Sequence, residues 1–284
     1  MARSMGASGG SERRVVLATR AAALAFAMLV PSTGQARPVS LELVLAIDTS
    51  SSVNYAEFNL QMQGYAAAFA NPAFIDAVRA AGRGGIAVAV VQWSGSALQE
   101  LALDWAVIDD EDSADAFARA LATLPRFLDG GSTAIGSVIR FAAPMFKGNT
   151  FDGARRVIDI SGDGRANQGV APEIVRAEAA SAGIDINGLA ILNEEPLLAS
   201  YYQDSVITGP SAFVLTAEDY RDFERAILAK LIREVMELPL ASVAPVKPGS
   251  SSSPSRTAVT PPSPPGAMAV AAPARNSELT FEPQ

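Results

Sequence analysis

Apolar residues between positions 39 and 240 fall into two rhythms. Leu41 to Ile47, Ile86 to Trp93, Val157 to Ile160 and Ile184 to Leu192 are runs of strand length that are almost continuously hydrophobic. Such runs predict strands buried on both faces, hence a mainly parallel sheet. Between them apolar residues recur at helical spacing: Phe58, Met62, Tyr65 and Phe69; Phe117, Leu121 and Leu124; Ile135, Val138, Ile139 and Ala142; Tyr220, Phe223, Ile227 and Leu231. Each stripe reads as the core face of a helix. One segment differs. Leu101, Leu103 and Trp105 alternate with Glu100, Ala102 and Asp104 just after a short Ser94-Gly95-Ser96 turn, which predicts an antiparallel edge strand with one wet face. The order β-α-β-β-α-α-β-α-β-α-β-α predicts one α/β domain over residues 37–240. Its doubly wound, mostly parallel central sheet has one antiparallel edge strand and helices on both faces. Ligands of such sheets bind outside the carboxyl ends of the strands.

Both ends of the chain leave this rhythm. Residues 1–36 pair Arg13 and Arg14 with the apolar stretch Ala21 to Val30 and a small-x-small sequence at Gly34-Gln35-Ala36. That is the pattern of a signal peptide, and its apolar run is short for a bilayer span. The expectation is an exported protein, periplasmic or extracellular, with no membrane-spanning segment in the mature chain. In residues 241–284 nine of the chain's 18 prolines lie from Pro245 onward, among Ser, Ala and Thr. Such a stretch buries too little apolar surface to offset its ordering entropy, and reads as a disordered tail or spacer.

Composition narrows the chemistry. Of 284 residues, 49% are hydrophobic and 18% charged, enough for a sizeable core. The formal charge is −8, and it is more negative still without the first 36 residues, which carry four arginines and one glutamate. Such a surface repels phosphates and anionic lipid, so no nucleic-acid partner is expected. The chain has no Cys and no His. This excludes disulfides, thiol catalysis, Ser-His-Asp triads and the usual zinc site. A metal ion here would be held by oxygen, which favours Mg²⁺, Mn²⁺ or Ca²⁺.

Three segments place oxygen-bearing side chains at the expected ligand-binding edge. The first strand ends in Asp48-Thr49-Ser50-Ser51-Ser52, so that Asp48, Ser50 and Ser52 can turn toward one point. Gly130-Gly131-Ser132-Thr133 stands directly before a helix, and Ser161-Gly162-Asp163-Gly164 follows a buried strand. Taken singly, each also reads as a loop with a helix cap. Taken together they offer three hydroxyls and two carboxylates, a set suited to one hard six-coordinate cation that keeps some waters.

D-x-S-x-S after the first strand, a Thr in a Gly-rich loop, and an apolar strand ending in Asp-Gly together resemble the metal-ion-dependent adhesion site of von Willebrand factor A-type domains. The resemblance spans roughly residues 39–237. More narrowly, the chain resembles a group of exported bacterial A-like proteins without an assigned function. The resemblance implies that Ser50, Ser52 and Thr133 ligate the ion through hydroxyls. It implies that Asp48 and Asp163 act mainly through bound waters and hydrogen bonds, with Asp163 also able to bind directly. One coordination position would stay open for the carboxylate of a protein or peptide partner. The expected function is therefore cation-dependent protein binding of the adhesion type, with no catalysis.

Two features fall outside this reading. The third motif has Gly162 where many A-type domains have Thr, and Asn193 to Gly209 carries no signal that assigns it a role. The acidic run Asp109 to Asp112 reads as the solvated start of a helix. A rival reading is a Mg²⁺-dependent phosphatase using Asp48 as nucleophile, as in haloacid dehalogenase-like enzymes. That chemistry wants a second Asp where Ser50 stands, and another near Asn167-Gln168. An aspartic-protease reading of Asp48-Thr49-Ser50 lacks the following Gly and an all-β fold. A structural module with a non-functional metal site is the remaining alternative.

Overall fold

The computed structural model describes residues 36–82 and 84–236. The signal peptide and the Pro-rich tail expected at the two ends lie outside these residues. Six strands form one sheet: β1 (Arg37–Asp48), β2 (Ile86–Trp93), β3 (Gln99–Ile108), β4 (Phe151–Gly162), β5 (Asp185–Ile191) and β6 (Val214–Ala217). Their order is β3-β2-β1-β4-β5-β6. All neighbouring pairs are parallel except β2 with β3. The α/β class and the antiparallel edge strand therefore stand as expected. The strand order reverses between β1 and β4, so the crevice of this sheet opens at the carboxyl ends of those two strands.

Helices cover both faces. One layer holds α1 (Tyr55–Phe69), α2 (Pro72–Ala81), α3 (Glu111–Ala122) and α7 (Phe223–Met236), whose apolar faces meet Leu43, Leu45, Ile47, Val88 and Val90 of the sheet. The other holds α4 (Ile135–Ala142), α5 (Pro172–Ser181) and α6 (Leu198–Tyr201), packed on Val44, Ala46, Ile158 and Ile160. The alternation of β1 residues between the two layers is the pleat of a strand buried on both sides.

Local sequence explains most boundaries. Asn54 caps α1, accepting from the N–H groups of Ala56 and Glu57, and Glu57 returns a bond to the Asn54 N–H. This is a capping box. Asn71 caps α2, with Pro72 in the first turn. That second helix is absent from the expected element order, where a single helix joins β1 to β2. The chain turns at Ala70-Asn71 because Asn71 offers a cap and Pro72 suits a helix start but no helix interior. The acidic run behaves as expected: Asp110 accepts from the Ser113 N–H and starts α3.

The edge strand corrects one expectation. Register shifts interrupt the pairing of β3 on either side of Val90, which faces Leu103. The bulges break strict alternation. Leu103 packs on the layer of α1, Trp105 on the layer of α4, and Leu101 is 40% exposed. The three residues therefore do not share one face. No helix among the described residues is long and apolar enough to cross a membrane.

Candidate functional site

The three motifs meet at the crevice between β1 and β4. Asp48 closes β1 and is fully buried; Ser50, Thr133 and Asp163 are buried, and Ser52 is half-buried. Hydrogen bonds join them into one cluster. The Ser50 N–H donates to Asp48 Oδ1 at 2.7 Å. The Ser50 and Ser52 hydroxyls lie 3.1 Å apart. Ser52 donates to Asp163 Oδ1 at 2.7 Å, and Thr133 donates to Ser50 at 3.4 Å. All five expected residues are thus brought together.

The capping alternative can now be judged. Asn54, not Ser50 or Ser52, caps α1. Helix α4 begins after Ala134 with no side-chain cap, so Thr133 is not one either. Helix α5 begins after Ala171, also without a side-chain cap, so Asp163 does not serve there. The three hydroxyls and two carboxylates are free of helix-capping duty.

The electrostatics of the cluster are unbalanced. Burial, and then the charge of Asp163, push the Asp48 carboxyl up to about 7, and the hydrogen bonds from Ser50 and then the Arg126 guanidinium offset this only in part. Asp48 Oδ2 is buried with no hydrogen-bond partner. Asp163 meets hydroxyl donors alone: Ser52 at one oxygen and Tyr220, at 2.9 Å, at the other. Burial and the neighbouring Asp163 and Asp48 raise the Tyr220 hydroxyl above its ordinary value, so it stays a donor. Among the described residues no ammonium or guanidinium bonds to either carboxylate, and two such buried groups are costly unless a cation joins them. Among the described residues no three His, Cys, Asp or Glu side chains converge on a point. An ion here would therefore depend on hydroxyls and water. That donor set fits a hard cation and poorly fits a soft one.

Several supporting residues escape a reading of the sequence. Ser51 points away from the cluster and both donates to the Gly131 carbonyl and accepts from the Gly131 N–H, each at 2.9 Å. Gly131 sits at φ 110°, which a side chain would strain. Asn167 Oδ1 accepts from the Thr133 N–H at 2.8 Å, and its own N–H donates to the Thr133 carbonyl. Arg126 spreads its guanidinium over the carbonyls of Thr49, Ser50 and Val53. Buried Gln61 donates to the Asp48 carbonyl at 3.4 Å. These groups hold three loops in one arrangement. Their sequence signal is weak, because an Asn or Arg in a loop carries no spacing that points to a partner 34 or 77 residues away.

Comparison with known proteins follows the same lines. A family model described as "Protein of unknown function (DUF1194)" matches residues 38–239. A search of curated proteins found no match. Among solved structures, proximal thread matrix protein 1 from the mussel byssus is similar at 18% identity and TM-score 0.51. The match covers 71% of this chain and 48% of that one. A second structure of the mussel protein, with a zinc-occupied MIDAS motif, aligns at 20% identity and TM-score 0.49, covering 70% and 48%. A von Willebrand factor type A structure from Catenulispora acidiphila aligns at 18% identity and TM-score 0.46, covering 70% and 43%. The chain thus spans about half the length of the mussel protein. Identities this low speak to the fold alone, and that fold is of the von Willebrand factor A type.

Proposed function

The chain belongs to the DUF1194 family, whose function is unknown, and from its own residues we propose that it is a divalent-cation-dependent protein-binding module of the adhesion type. One observation carries this reading. Asp48 and Asp163 are buried together beside the hydroxyls of Ser50, Ser52 and Thr133, and among the described residues no cationic side chain bonds to either carboxylate. Ser50, Ser52 and Thr133 are the proposed direct ligands, with Asp48 and Asp163 orienting them and bound water. Mg²⁺ suits the set best, with Mn²⁺ and Ca²⁺ as alternatives. When bound, the ion supplies an electrophilic position that a partner's Asp or Glu can fill by a charge-assisted contact. Ser50 keeps its N–H on Asp48, which fixes the loop that presents both serine hydroxyls.

The module is proposed to have no catalytic turnover. A phosphatase of the haloacid dehalogenase type would want a second Asp two residues after Asp48; that place is held by Ser50, and the chain has no His. Export is proposed from the Arg13-Arg14 pair and the apolar stretch Ala21 to Val30, placing the protein in the periplasm or outside the cell.

Calorimetric titration of Mg²⁺, Mn²⁺ and Ca²⁺ into the full chain tests the reading, beside a Ser50→Ala/Asp163→Ala double variant. Saturable one-to-one binding by the parent protein alone is the expected result. Absence of binding to the parent at millimolar ion would sink the proposal and leave a structural module.

A further inference from the structure

Two buried oxygens without partners converge on Gly162. One is Asp48 Oδ2 and the other the Tyr202 hydroxyl. Both residues are fully buried. A Cβ built on Gly162 would stand 2.8 Å from Asp48 Oδ2 and 3.0 Å from the Tyr202 oxygen. The first oxygen is an acceptor, and the second carries a proton to donate. Leaving either group buried and unpaired is costly.

The backbone brings them together. Tyr202 opens a π turn (Tyr202–Val206) directly after α6, a rare geometry that often marks functional places. Its ring lies against Gly188 of β5, where a Cβ would come within 2.8 Å of a ring carbon. The ring therefore crosses β5 and extends toward the end of β4. Two glycines, 188 and 162, give it the room. The segment Asn193 to Gly209 carries no role legible in the sequence, and Gly162 stands where many A-type domains have Thr. Both contribute to this one approach.

We propose that Tyr202 is a positioning residue for the cation site: its hydroxyl donates to Asp48 Oδ2 across one water held over Gly162. Asp48 Oδ1 is already fixed by the Ser50 N–H. A second bond at Oδ2 stops the carboxylate from rotating about that first one. It thereby fixes Ser50 and the water-binding face of Asp48. Outer partners of this kind typically change metal affinity by about 10–100-fold. The inference rests on the cation-binding reading above.

The test uses the full chain, with Mn²⁺ as the titrant. Tyr202→Phe keeps the ring and removes the hydroxyl. We expect it to bind Mn²⁺ about 10-fold more weakly than the parent. In chelator its unfolding temperature should stay close to the parent's, because the ring and its packing against Gly188 are kept. Gly162→Ala occupies the same space and should lose affinity as well. The double variant should bind no worse than the weaker single one, since both changes remove one bond. Unchanged affinity in Tyr202→Phe overturns the inference. So does a loss of affinity that merely tracks a loss of cation-free stability, which would make Tyr202 a packing residue. If the parent protein itself binds no Mn²⁺, the cation reading falls first, and the two failures remain distinct.

Discussion

Strand β4 and the residue that follows it carry two buried aspartates, Asp159 and Asp163, and they are neutralised differently. Asp159 stands 2.8 Å from the Lys230 ammonium. Lys230 also donates to Glu234 at 2.7 Å and lies over the ring of Phe213. Asn187 completes the cluster by donating to Glu234 at 2.9 Å. Burial pulls the Lys230 ammonium toward neutrality, but Asp159 and Glu234 together outweigh it and hold its value above the ordinary range. Four residues on, about 13 Å along the strand, Asp163 meets only the hydroxyls of Ser52 and Tyr220 and shares its surroundings with Asp48. A protein interior admits carboxylates where a counter-charge accompanies them. In the middle of the sheet α7 supplies that charge. At its edge the Arg126 guanidinium acts on Asp48 only through space and no described cationic side chain bonds to either carboxylate, and the proposed ion takes the place of Lys230.

The sharpest way to break the contrast is to remove the built-in cation. Lys230→Met leaves Asp159 buried without its ammonium and Glu234 with only the Arg155 guanidinium at 3.8 Å, which should cost about 3–5 kcal/mol. Differential scanning calorimetry should then show a melting temperature lower by roughly 10 °C or more. A loss below about 1 kcal/mol, the scale of an exposed pair, would mean that this cluster needs no cation either.

The edge cluster should respond to pH in the opposite way from a paired carboxylate. The folded value of Asp48, about 7, lies above its ordinary 3.8. Its contribution to stability is therefore complete below about pH 4 and is lost as pH rises through about 7, an effect on the order of a few kcal/mol. Chelated protein should melt at a lower temperature at pH 8 than at pH 5, and Asp48→Asn should flatten the difference. Mg²⁺ at a hundredfold excess over its Kd should restore about 2.7 kcal/mol at pH 8 in the parent protein alone. Thermal melts that do not change between the two pH values, with or without Mg²⁺, would remove the imbalance on which the comparison rests.

The smallest effect sharpens the edge cluster itself. Asn167→Ala removes the acceptor for the Thr133 N–H. It should cost about 1 kcal/mol in stability, and titration calorimetry should show a several-fold weaker ion. The Lys230 cluster, held by other elements, should be untouched, so equal sensitivity of both clusters would contradict their independence.

Much of the scaffold was legible because it rests on short-range periodicity. Near-continuous apolar runs marked β1, β2, β4 and β5, and stripes at spacings of three and four marked α1, α3, α4 and α7. Where a local signal was subtler, the reading fell short. Asn71-Pro72 splits the first helical region in two, and the bulges beside Val90 send Leu103 and Trp105 to opposite faces. The five oxygen-bearing residues were visible through their spacing and their place at strand ends. Their braces were not, since Arg126, Asn167, Tyr202 and Tyr220 reach the cluster from distant segments.

The sequence alone determined the alternation of strands and helices, the absence of His and Cys, and thus the restriction to oxygen ligands. Those are properties of composition and of neighbours within a few positions. Only the tertiary structure decided that Asn54 relieves the serines of capping, that no cationic side chain among the described residues bonds to Asp48 or Asp163, and that Tyr202 points at Asp48 across a glycine. Each of these depends on which groups share a buried space. That is set by how β1, β4 and β5 lie side by side, and no local pattern in the chain records it.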